Sequence, residues 1–505
     1  MGRQWWRAAI FAAVLIADTA CAQDVTLTAL NGGITISGLL QGYDGEFYRI
    51  ETSYGLLTVD GQGVICDGPA CPDLTAPKAV VRFVGNSDVG STLLPPLIAA
   101  FATSLGLGYV QGTGPDFTAV MTDPATHKTL AEFSFVAGVP EVSRAALVAG
   151  RAELMIAATI EPDFGHHALA LDALLPIVAK DNPTPRISTV DLARALTGEV
   201  TNWQQIGGPD MPIVLHALAG DTDIQRGLVA RLGGPMAASV QHPDLASLAG
   251  AVARDPWALG VTARALIGAA KPLSLTDSCG FPLQPTALAV KAEDYPLALP
   301  IFLLTPRRRL PLFARQFLEF LATPAAQDAI RATGFIDRSP QRQAMTADGL
   351  RLINAIQGAG NEVTLADLKR LVDGMAGADR LSLTFRFEDG SSSLDAQSRD
   401  NLTDLARLLE TDAFKDEILV FAGFSDGSGA AAANLNLSRA RAQSVADALR
   451  AAAPDLPEAL IPTVDAYGET MPLACDATAV GRQLNRRVEL WVKPALVTNT
   501  HAPEN

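Results

Sequence analysis

Two charged residues near the C-terminus have the types and spacing of a binding site for a zwitterion. Asp426 lies in a loop rich in glycine and serine, and Arg441 lies in the predicted helix that comes next. A fixed carboxylate and a fixed guanidinium complement a group with an amine and a carboxylate on one carbon, because arginine can hold a carboxylate through two parallel hydrogen bonds. The alternative is a surface acid and a surface base, whose ion pair would contribute little to stability.

The segments around these two residues have the patterns of strands and helices. Residues 381–387 and 487–492 alternate apolar with polar side chains, which is typical of half-buried strands. Leu402, Leu405 and Leu409 recur at helical spacing, and a second helix follows the glycine-rich loop. The order of these elements predicts an α+β sandwich with its helices on one side of the sheet.

Three motifs in this region carry a resemblance to a known family. They are Gly423-Phe-Ser-Asp426, Asn434-Leu-Asn-Leu-Ser-Arg-Ala-Arg-Ala442 and Asn485-Arg-Arg-Val-Glu489. In this order they resemble the peptidoglycan-binding domain of the OmpA family, which usually has histidine where this chain has Phe424. The resemblance covers residues 379–494 and implies that a small set of residues holds the diaminopimelate side chain of peptidoglycan. That set is Asp426, Arg441, Asn434, Asn485 and Arg486.

Length and composition describe a large globular protein. A chain of 505 residues is too long for one core, so three or more domains are expected. The composition, 48% hydrophobic and 18% charged, is that of a soluble globular protein. A net charge of −15 argues against nucleic acid as a partner and against a basic surface that would steer anions.

The first residues have the pattern of a targeting segment. Arg3 and Arg7 precede the apolar residues 8–17, which are too few to span a bilayer. Ala20-Cys-Ala22 fits a cleavage site, so residues 1–22 are expected to be a signal peptide. Cys21 raises the alternative of a lipoprotein, but Asp18 stands where a lipobox would have an apolar residue. No later apolar run is long enough to predict a transmembrane helix.

Four cysteines follow the signal peptide. Cys66-Asp-Gly-Pro-Ala-Cys71 is a turn sequence that can bring its ends within disulfide reach, and an exported protein meets an oxidising compartment. Metal binding is the competing interpretation, but no histidine lies near these two residues. Cys279 and Cys475 lie in different predicted domains, and the sequence leaves open whether they are free or bridge those domains.

Residues 23–75 have the pattern of a small all-β module. Short alternating segments are separated by the turn sequences Asn31-Gly-Gly33 and Asp44-Gly45. A barrel or meander closed by the disulfide of Cys66 and Cys71 is expected. We predict a docking or spacer role for this module and name no ligand.

Five segments in residues 79–340 carry a second resemblance. The clearest is Leu196-Thr-Gly-Glu-Val-Thr-Asn-Trp-Gln-Gln-Ile-Gly-Gly208, and the others are residues 81–97, 170–183, 255–261 and 317–327. In this order they resemble the periplasmic substrate-binding proteins of ABC importers, in particular the phosphate-binding branch. The resemblance implies two α/β lobes with a cleft between them.

In that fold anions bind in loops at helix N-termini, where free N–H groups and the helix dipole favour negative charge. Each candidate hydroxyl could instead be a simple helix cap. Asp221 and Asp223 put negative charge into the candidate loop around Thr222, where the family usually has Ser-Gly-Thr with an arginine beside it. The resemblance therefore predicts the fold, whereas we predict only weak binding of phosphate. The candidate ligand residues are Ser87, Ser91, Thr92, Ser143, Arg144, Thr159 and Thr222.

The remaining segments complete the organisation. Residues 341–378 carry apolar side chains at helical spacing and predict two connecting helices, and residues 495–505 form a polar tail. No Gly-x-Ser-x-Gly motif and no group of metal ligands beyond the pair His166-His167 is present. The chain is therefore predicted to be no enzyme and to need no cofactor or metal.

Two functional hypotheses from different classes remain. In the first, the protein is a non-catalytic envelope receptor: the two lobes bind a small solute, by resemblance a phosphate-like anion, and the OmpA-like domain anchors it non-covalently to peptidoglycan. In the second, it is an envelope structural protein whose lobes have lost their ligand and bind protein partners. Both place it in the periplasm of a Gram-negative-type cell, attached to the wall or the outer membrane. An ABC importer or a sensor is a further candidate partner, and a wall tether fits sensing or local capture better than transport.

Overall fold

The structure is a computed structural model that describes residues 24–495, apart from 31, 44–46, 73–78, 115, 221, 233, 348, 389–390 and 392. The expected signal peptide, the tail beyond residue 495, Asp221 and parts of both predicted β-turns lie outside the described residues. The chain divides into two compact units, residues 1–77 with 311–316 and residues 78–310 with 317–505.

The first unit is an antiparallel sheet with a small apolar core. Its strand order is β4-β3-β2-β1-β5. Buried Asp24 accepts a hydrogen bond from the Leu40 amide (2.6 Å), and Arg315 donates to the Leu40 carbonyl oxygen (3.1 Å). The predicted disulfide of Cys66 and Cys71 is confirmed, with 5.7 Å between the Cα atoms. The strands are β1 (Val25–Ala29), β2 (Thr35–Tyr43), β3 (Phe47–Thr52), β4 (Gly55–Asp60) and β5 (Val64–Asp67).

The second unit begins with two lobes that share one large sheet. The strand order is β14-β13-β15-β11-β19-β10-β6-β9-β8-β7, and β16 pairs with β11. The strands are β6 (Ala79–Gly85), β7 (Gly108–Gln111), β8 (Phe117–Thr122), β9 (Thr129–Ala137), β10 (Leu154–Ala157), β11 (Gly165–Val178), β13 (Val214–Leu218), β14 (Val240–His242), β15 (Ala258–Ala263), β16 (Lys271–Pro272) and β19 (Ala298–Thr305). A second sheet has the order β12-β17-β18, with β12 (Arg186–Ser188), β17 (Ser274–Thr276) and β18 (Pro282–Leu283).

Strands β11 and β19 connect the lobes. β11 pairs with β19 along residues 165–173 and then with β15 along 174–177. Residues 168–178 are all buried, which is the burial expected of a strand covered on both faces. The first lobe contains β6–β10, and the second contains β13–β16. The helices are α1 (Ser87–Ser104), α2 (Pro140–Val148), α3 (Thr189–Leu196), α4 (Asp223–Leu232), α5 (Leu245–Val252), α6 (Ala287–Lys291), α7 (Leu312–Phe320) and α8 (Pro324–Ala332).

The C-terminal part of the second unit is a five-stranded sheet covered by helices. Its order is β20-β21-β24-β22-β23. The strands are β20 (Arg342–Ala344), β21 (Asp379–Phe385), β22 (Glu417–Phe424), β23 (Thr463–Gly468) and β24 (Arg487–Pro494). The helices are α9 (Gly349–Gln357), α10 (Leu365–Met375), α11 (Ala396–Glu410), α12 (Ala431–Ala452) and α13 (Ala479–Asn485). The two helices expected in the connector are therefore present as α9 and α10.

Helices cover both faces of this sheet, whereas the sequence pattern predicted one. Helices α11 and α12 pack on Val488, Leu490 and their neighbours. Helices α9 and α10 contribute to a second core that contains Phe424 and Trp491. The polar residues of the alternation do not face solvent: Glu489 is fully buried and accepts a hydrogen bond from Trp491 Nε1 (2.9 Å).

A disulfide and ion pairs join the second lobe to the C-terminal domain. Cys279 and Cys475, whose state the sequence left open, form a disulfide with 5.7 Å between the Cα atoms. Asp294 of the second lobe pairs with Arg380 (2.5 Å) and Arg386 (3.2 Å). In the described part of the chain, no helix combines the length and the apolarity needed to cross a membrane. Short 3-10 helices lie at Gly61–Gly63, Trp203–Ile206, Arg264–Leu266, Met345–Ala347 and Glu458–Leu460.

Candidate functional site

Asp426 is held at the start of the loop that follows β22. Its Oδ1 atom accepts a hydrogen bond from the Ser428 amide (3.0 Å), and its Oδ2 atom accepts one from Arg486 Nη1 (3.3 Å). The next amide in the loop, that of Gly427, donates to Asp476 Oδ2 (2.7 Å). Burial acts to raise the pKa of Asp426, but the hydrogen bonds from Ser428 and Arg486 outweigh it and hold the pKa below its usual value. A carboxylate is therefore fixed here at neutral pH.

Arg441 lies on α12, and its guanidinium interacts electrostatically with this carboxylate. Its Cζ atom is 5.9 Å from the centre of the Phe387 ring. The Nη1 atom is buried and has no hydrogen-bond partner among the described residues. Burial lowers the pKa of Arg441, Arg486 lowers it further by repulsion, and Asp426 offsets part of this. Arginine nevertheless stays charged, so a buried cationic donor is available to a ligand.

A cavity of about 380 Å³ lies next to Arg441 and Arg486. It combines cationic groups with the apolar surfaces of Phe387 and Leu437, which suits an alkyl chain that ends in charged groups. Asp426 contacts the cavity through Arg486 and does not line it. The lining residues are Arg386, Phe387, Glu388, Ser391, Leu437, Ala440, Arg441, Ser444, Gln483 and Arg486.

Arg386 and Phe387 line the cavity although the sequence did not single them out. Arg386 follows β21 and alternates with apolar residues, which predicted a solvent-facing side chain. Instead it is buried and donates to the Leu484 carbonyl oxygen (2.8 Å) and to the Glu293 carbonyl oxygen of the second lobe (3.0 Å). Its guanidinium therefore has partners within the chain, unlike Arg441 Nη1.

The two asparagines that the resemblance assigned to the site bind other parts of the chain. Buried Asn434 donates to Glu469. Asn485 accepts from the Leu473 amide (2.7 Å) and donates to Asp476 Oδ1 (2.8 Å). These contacts fix the loops around the cavity. The structure thus brings together Asp426, Arg441 and Arg486, while the amide groups of both asparagines are already hydrogen-bonded.

Phe424 stands where the OmpA motif usually has histidine, and its side chain does not line the cavity. It is fully buried in the core under α9 and α10, where its ring stacks on Tyr467 with 5.7 Å between centroids. Arg487 lies over the ring at 4.2 Å. The substitution therefore changes the second core of the sheet and leaves the cavity lining unchanged.

The interlobe cleft is where the N-termini of α1 and α2 face those of α4 and α5. Asp88 in the first turn of α1 accepts a hydrogen bond from the Leu245 amide, the first of α5 (3.1 Å). Burial raises the pKa of Asp88, the Leu245 amide lowers it, and the Asp244 carboxylate raises it. Arg226 of α4 lies 3.8 Å from Glu141 of α2. Side chains of the protein itself therefore meet across the cleft.

The candidate ligand residues Ser87, Ser91 and Thr92 lie in the first two turns of α1. Ser87 is the first residue of α1, and Asn86 caps the helix by accepting from the Val89 amide (3.1 Å). Ser91 Oγ donates to the Ser87 carbonyl oxygen (2.7 Å), and Thr92 lies on the next position of the helix. The Ser91 hydroxyl is therefore already hydrogen-bonded within the helix.

The remaining candidates are dispersed. Helix α2 begins at Pro140, so Ser143 lies inside the helix and not in a loop before it. Ser143 is buried, and its Oγ atom has no partner among the described residues. Arg144 pairs with Glu161 (2.7 Å) and Asp163 (3.2 Å), so two carboxylates of the protein already compensate its charge. Thr159 is in an exposed bend, and Thr222 caps α4 by accepting from the Gln225 amide (3.2 Å).

Comparisons with known proteins confirm both resemblances. Residues 386–486 match the family model of the OmpA family, and residues 89–325 match that of the PBP superfamily domain. A putative phosphate ABC transporter substrate-binding protein with bound phosphate from Clostridium perfringens is 17% identical, with a TM-score of 0.42 over 51% of this chain and 99% of that chain. An ABC-type phosphate transport receptor from Vibrio cholerae is 16% identical, with a TM-score of 0.40 over 51% of this chain and 99% of that chain. The chain therefore contains a PBP-like α/β domain followed by an OmpA-like α+β domain.

Proposed function

We propose that this protein is a non-catalytic envelope protein that anchors a two-lobed binding domain to peptidoglycan through the cavity beside Asp426, Arg441 and Arg486. The observation that carries the proposal is the buried Nη1 atom of Arg441, which has no partner among the described residues although its side chain lines the cavity. A buried cationic donor without an acceptor is costly. A ligand carboxylate would satisfy it.

The diaminopimelate side chain of peptidoglycan matches the groups around this cavity. Its terminal carboxylate would accept hydrogen bonds from Arg441 and Arg486, which can bind a carboxylate in the plane of the guanidinium. The amine on the same carbon would donate to Asp426, whose lowered pKa keeps it ionised. The methylene chain would pack on Phe387 and Leu437.

Sedimentation with purified sacculi tests the anchor. Asp426→Ala or Arg441→Ala should each weaken binding by about 1.5–3 kcal/mol, the range for a hydrogen bond to a charged group, which is roughly tenfold to 150-fold. Arg439→Ala is the matched control, because Arg439 is an exposed arginine of the same helix that does not line the cavity. If the unmodified protein stays in the supernatant, or all three variants pellet like it, the anchor proposal is wrong.

For the two-lobed domain, we infer a small solute that is not the phosphate dianion. The helix N-termini at the cleft already carry acidic side chains, Asp88 on α1, Glu141 on α2 and Asp223 on α4, and Asp244 caps α5. These carboxylates compensate the helix dipoles that would otherwise favour an anion. A solute that donates hydrogen bonds, or a protonated oxyanion, is better matched to this cleft.

A specific contact favours the second hypothesis, a lobed domain that has lost its ligand and binds protein partners. Asp88 already accepts from the Leu245 amide, so a side chain of the chain itself takes a position that a bound anion could take. Thermal-shift screening separates the two, because a solute that binds only the folded protein raises the unfolding midpoint. A midpoint raised by an oxyanion or an amine supports the receptor, and a midpoint unchanged by both classes supports the protein-binding role.

The proposed site of action is the periplasm, at the peptidoglycan or the outer membrane. Both matched families are families of binding proteins and fit an envelope location. An importer or a sensor would be the partner of a receptor. Because a protein bound to the wall cannot diffuse freely to a transporter, sensing or local capture of the solute suits the tether better than bulk transport.

A further inference from the structure

The loop that carries Asp426 is fixed by Asp476, a residue from a distant part of the domain. Asp476 Oδ2 accepts from the Gly427 amide (2.7 Å), directly next to Asp426. Asp476 Oδ1 accepts from Asn485 Nδ2 (2.8 Å), and the Asp476 carbonyl oxygen accepts from Arg482 Nη1 (2.7 Å). Asp476 therefore determines where the backbone beside Asp426 lies, while its own position depends on the segment before it.

That segment is attached to the second lobe at the adjacent residue. Cys475 forms the disulfide with Cys279, and the Cys475 amide donates to Asp277 Oδ2 (2.6 Å). Asp277 is buried, and its Oδ1 atom accepts from the amides of Cys279 (2.9 Å) and Phe281 (2.8 Å). The second lobe thus holds Cys475 covalently and through its backbone, one residue away from Asp476.

We propose that Asp476 and the Cys279–Cys475 disulfide position the Asp426 loop, so that the attachment to the second lobe sets the affinity of the cavity for the amine of diaminopimelate. The inference rests on the proposed function. Asp426 is the group proposed for the amine, whereas Arg441 is on α12 and is not held by this chain of contacts. Arg486, the second group proposed for the carboxylate, pairs with Asp426 and follows Asn485. Loosening the attachment should therefore weaken recognition of the amine more than recognition of the carboxylate.

The disulfide is accessible to a dithiol reagent, because Cys279 is exposed and Cys475 is half-buried. Dithiothreitol would break the S–S bond and transfer two electrons and two protons to the cysteines, giving two thiols and the cyclic disulfide of the reagent. The Cys66–Cys71 disulfide would be reduced as well. Its effect is separated by the Cys66→Ser/Cys71→Ser variant, which keeps only the disulfide of interest.

Titration calorimetry of the full chain with meso-diaminopimelate and with pimelate measures the two recognitions separately, since pimelate has the carboxylates but no amine. In Cys279→Ser/Cys475→Ser and in Asp476→Ala, we expect diaminopimelate affinity to fall by about threefold to tenfold, the cost of ordering a loop group on binding. Pimelate affinity should stay within about twofold of the unmodified protein. Dithiothreitol should reproduce the loss in Cys66→Ser/Cys71→Ser, and reoxidation should reverse it.

The outcomes separate this inference from the anchor itself. An oxidised, unmodified protein that binds neither diaminopimelate nor sacculi refutes the proposed function. The unmodified protein can instead bind diaminopimelate while neither the variants nor reversible reduction changes the ratio of its affinities for diaminopimelate and pimelate. That result refutes the positioning role and leaves the proposed function intact. Equal losses for both ligands also refute it, because they indicate general disruption of the cavity.

Discussion

Replacing Asp88 by asparagine tests whether the cleft excludes phosphate by charge. Asp88 accepts from the Leu245 amide across the cleft (3.1 Å), and an asparagine Oδ1 atom can accept the same hydrogen bond. Asp88→Asn therefore removes a charge while it keeps the contact between α1 and α5. The variant therefore measures the effect of the charge on phosphate affinity without a change in the contact between the lobes.

The magnitude follows from the position of the carboxylate at two helix N-termini. A phosphate bound at either terminus would lie about 5 Å from Asp88, where a pair of like unit charges costs roughly 3 kcal/mol at an effective dielectric constant of about 20. Asp88 is only partly buried, so screening by solvent reduces this to about 1.5 kcal/mol. We expect phosphate to bind the unmodified protein with a Kd above about 10 µM, and Asp88→Asn to lower that Kd by at least about tenfold.

Titration calorimetry at low ionic strength measures this change, and Glu410→Gln is the matched control. Glu410 is the exposed last residue of α11 in the C-terminal domain, so the control removes the same charge away from the cleft. Submicromolar binding of phosphate by the unmodified protein would refute the reasoning, and would mean that the acidic residues do not face the ligand. No binding by either protein would favour the protein-binding role of the lobes.

Two further predictions concern buried charges. Burial raises the pKa of Asp172 to about 7 against hydrogen bonds from the Ala173 and Ala265 amides. The folded protein thus keeps this proton to a higher pH than the unfolded chain, and stability falls as pH rises from about 4 to 7. Asp172→Asn should raise the free energy of unfolding at pH 8 by on the order of 4 kcal/mol and change it little near pH 4. An equal effect at the two pH values would contradict the buried proton. Glu489 Oε1 lies 2.7 Å from Nε of buried Arg487, so Glu489→Gln would remove the counter-charge of this arginine and its neighbours. The variant should destabilise the C-terminal domain by about 3–5 kcal/mol in urea unfolding. An unchanged unfolding midpoint would contradict this.

Sequence patterns predicted most of the local structure. The alternation of residues 381–387 predicted β21, and helical spacing in residues 341–378 predicted α9 and α10. The turn between Cys66 and Cys71 predicted their disulfide. These features depend on neighbours a few residues away, so the chain encodes them where they occur. The motifs that carried both family resemblances are likewise short and local.

The candidate site was predictable in part. Asp426 and Arg441 followed from motifs around a strand, a loop and a helix. The apolar Phe387 and Leu437 of the cavity lacked such a signal, because an apolar residue in an alternating strand or on a helix is compatible with any core. The occupied amides of Asn434 and Asn485 were also hidden, since a motif gives a residue type and not its hydrogen-bond partners.

Tertiary structure alone decided how the second lobe and the C-terminal domain are joined. The alternation of apolar and polar residues predicted that Arg386 faces solvent. In the structure Arg386 is buried and donates to the Glu293 carbonyl oxygen (3.0 Å). Periodicity assigns a side chain to one face of its strand but does not say what that face contacts. In the same way, Cys279 and Cys475 are 196 residues apart in the chain, and only the folded backbone brings them within bonding distance. The contact of Asp88 with the Leu245 amide likewise joins residues 157 positions apart, and it exists because two lobes meet there. Local periodicity and turn chemistry thus determined the elements, whereas long-range packing determined their partners, because those partners are distant in the sequence.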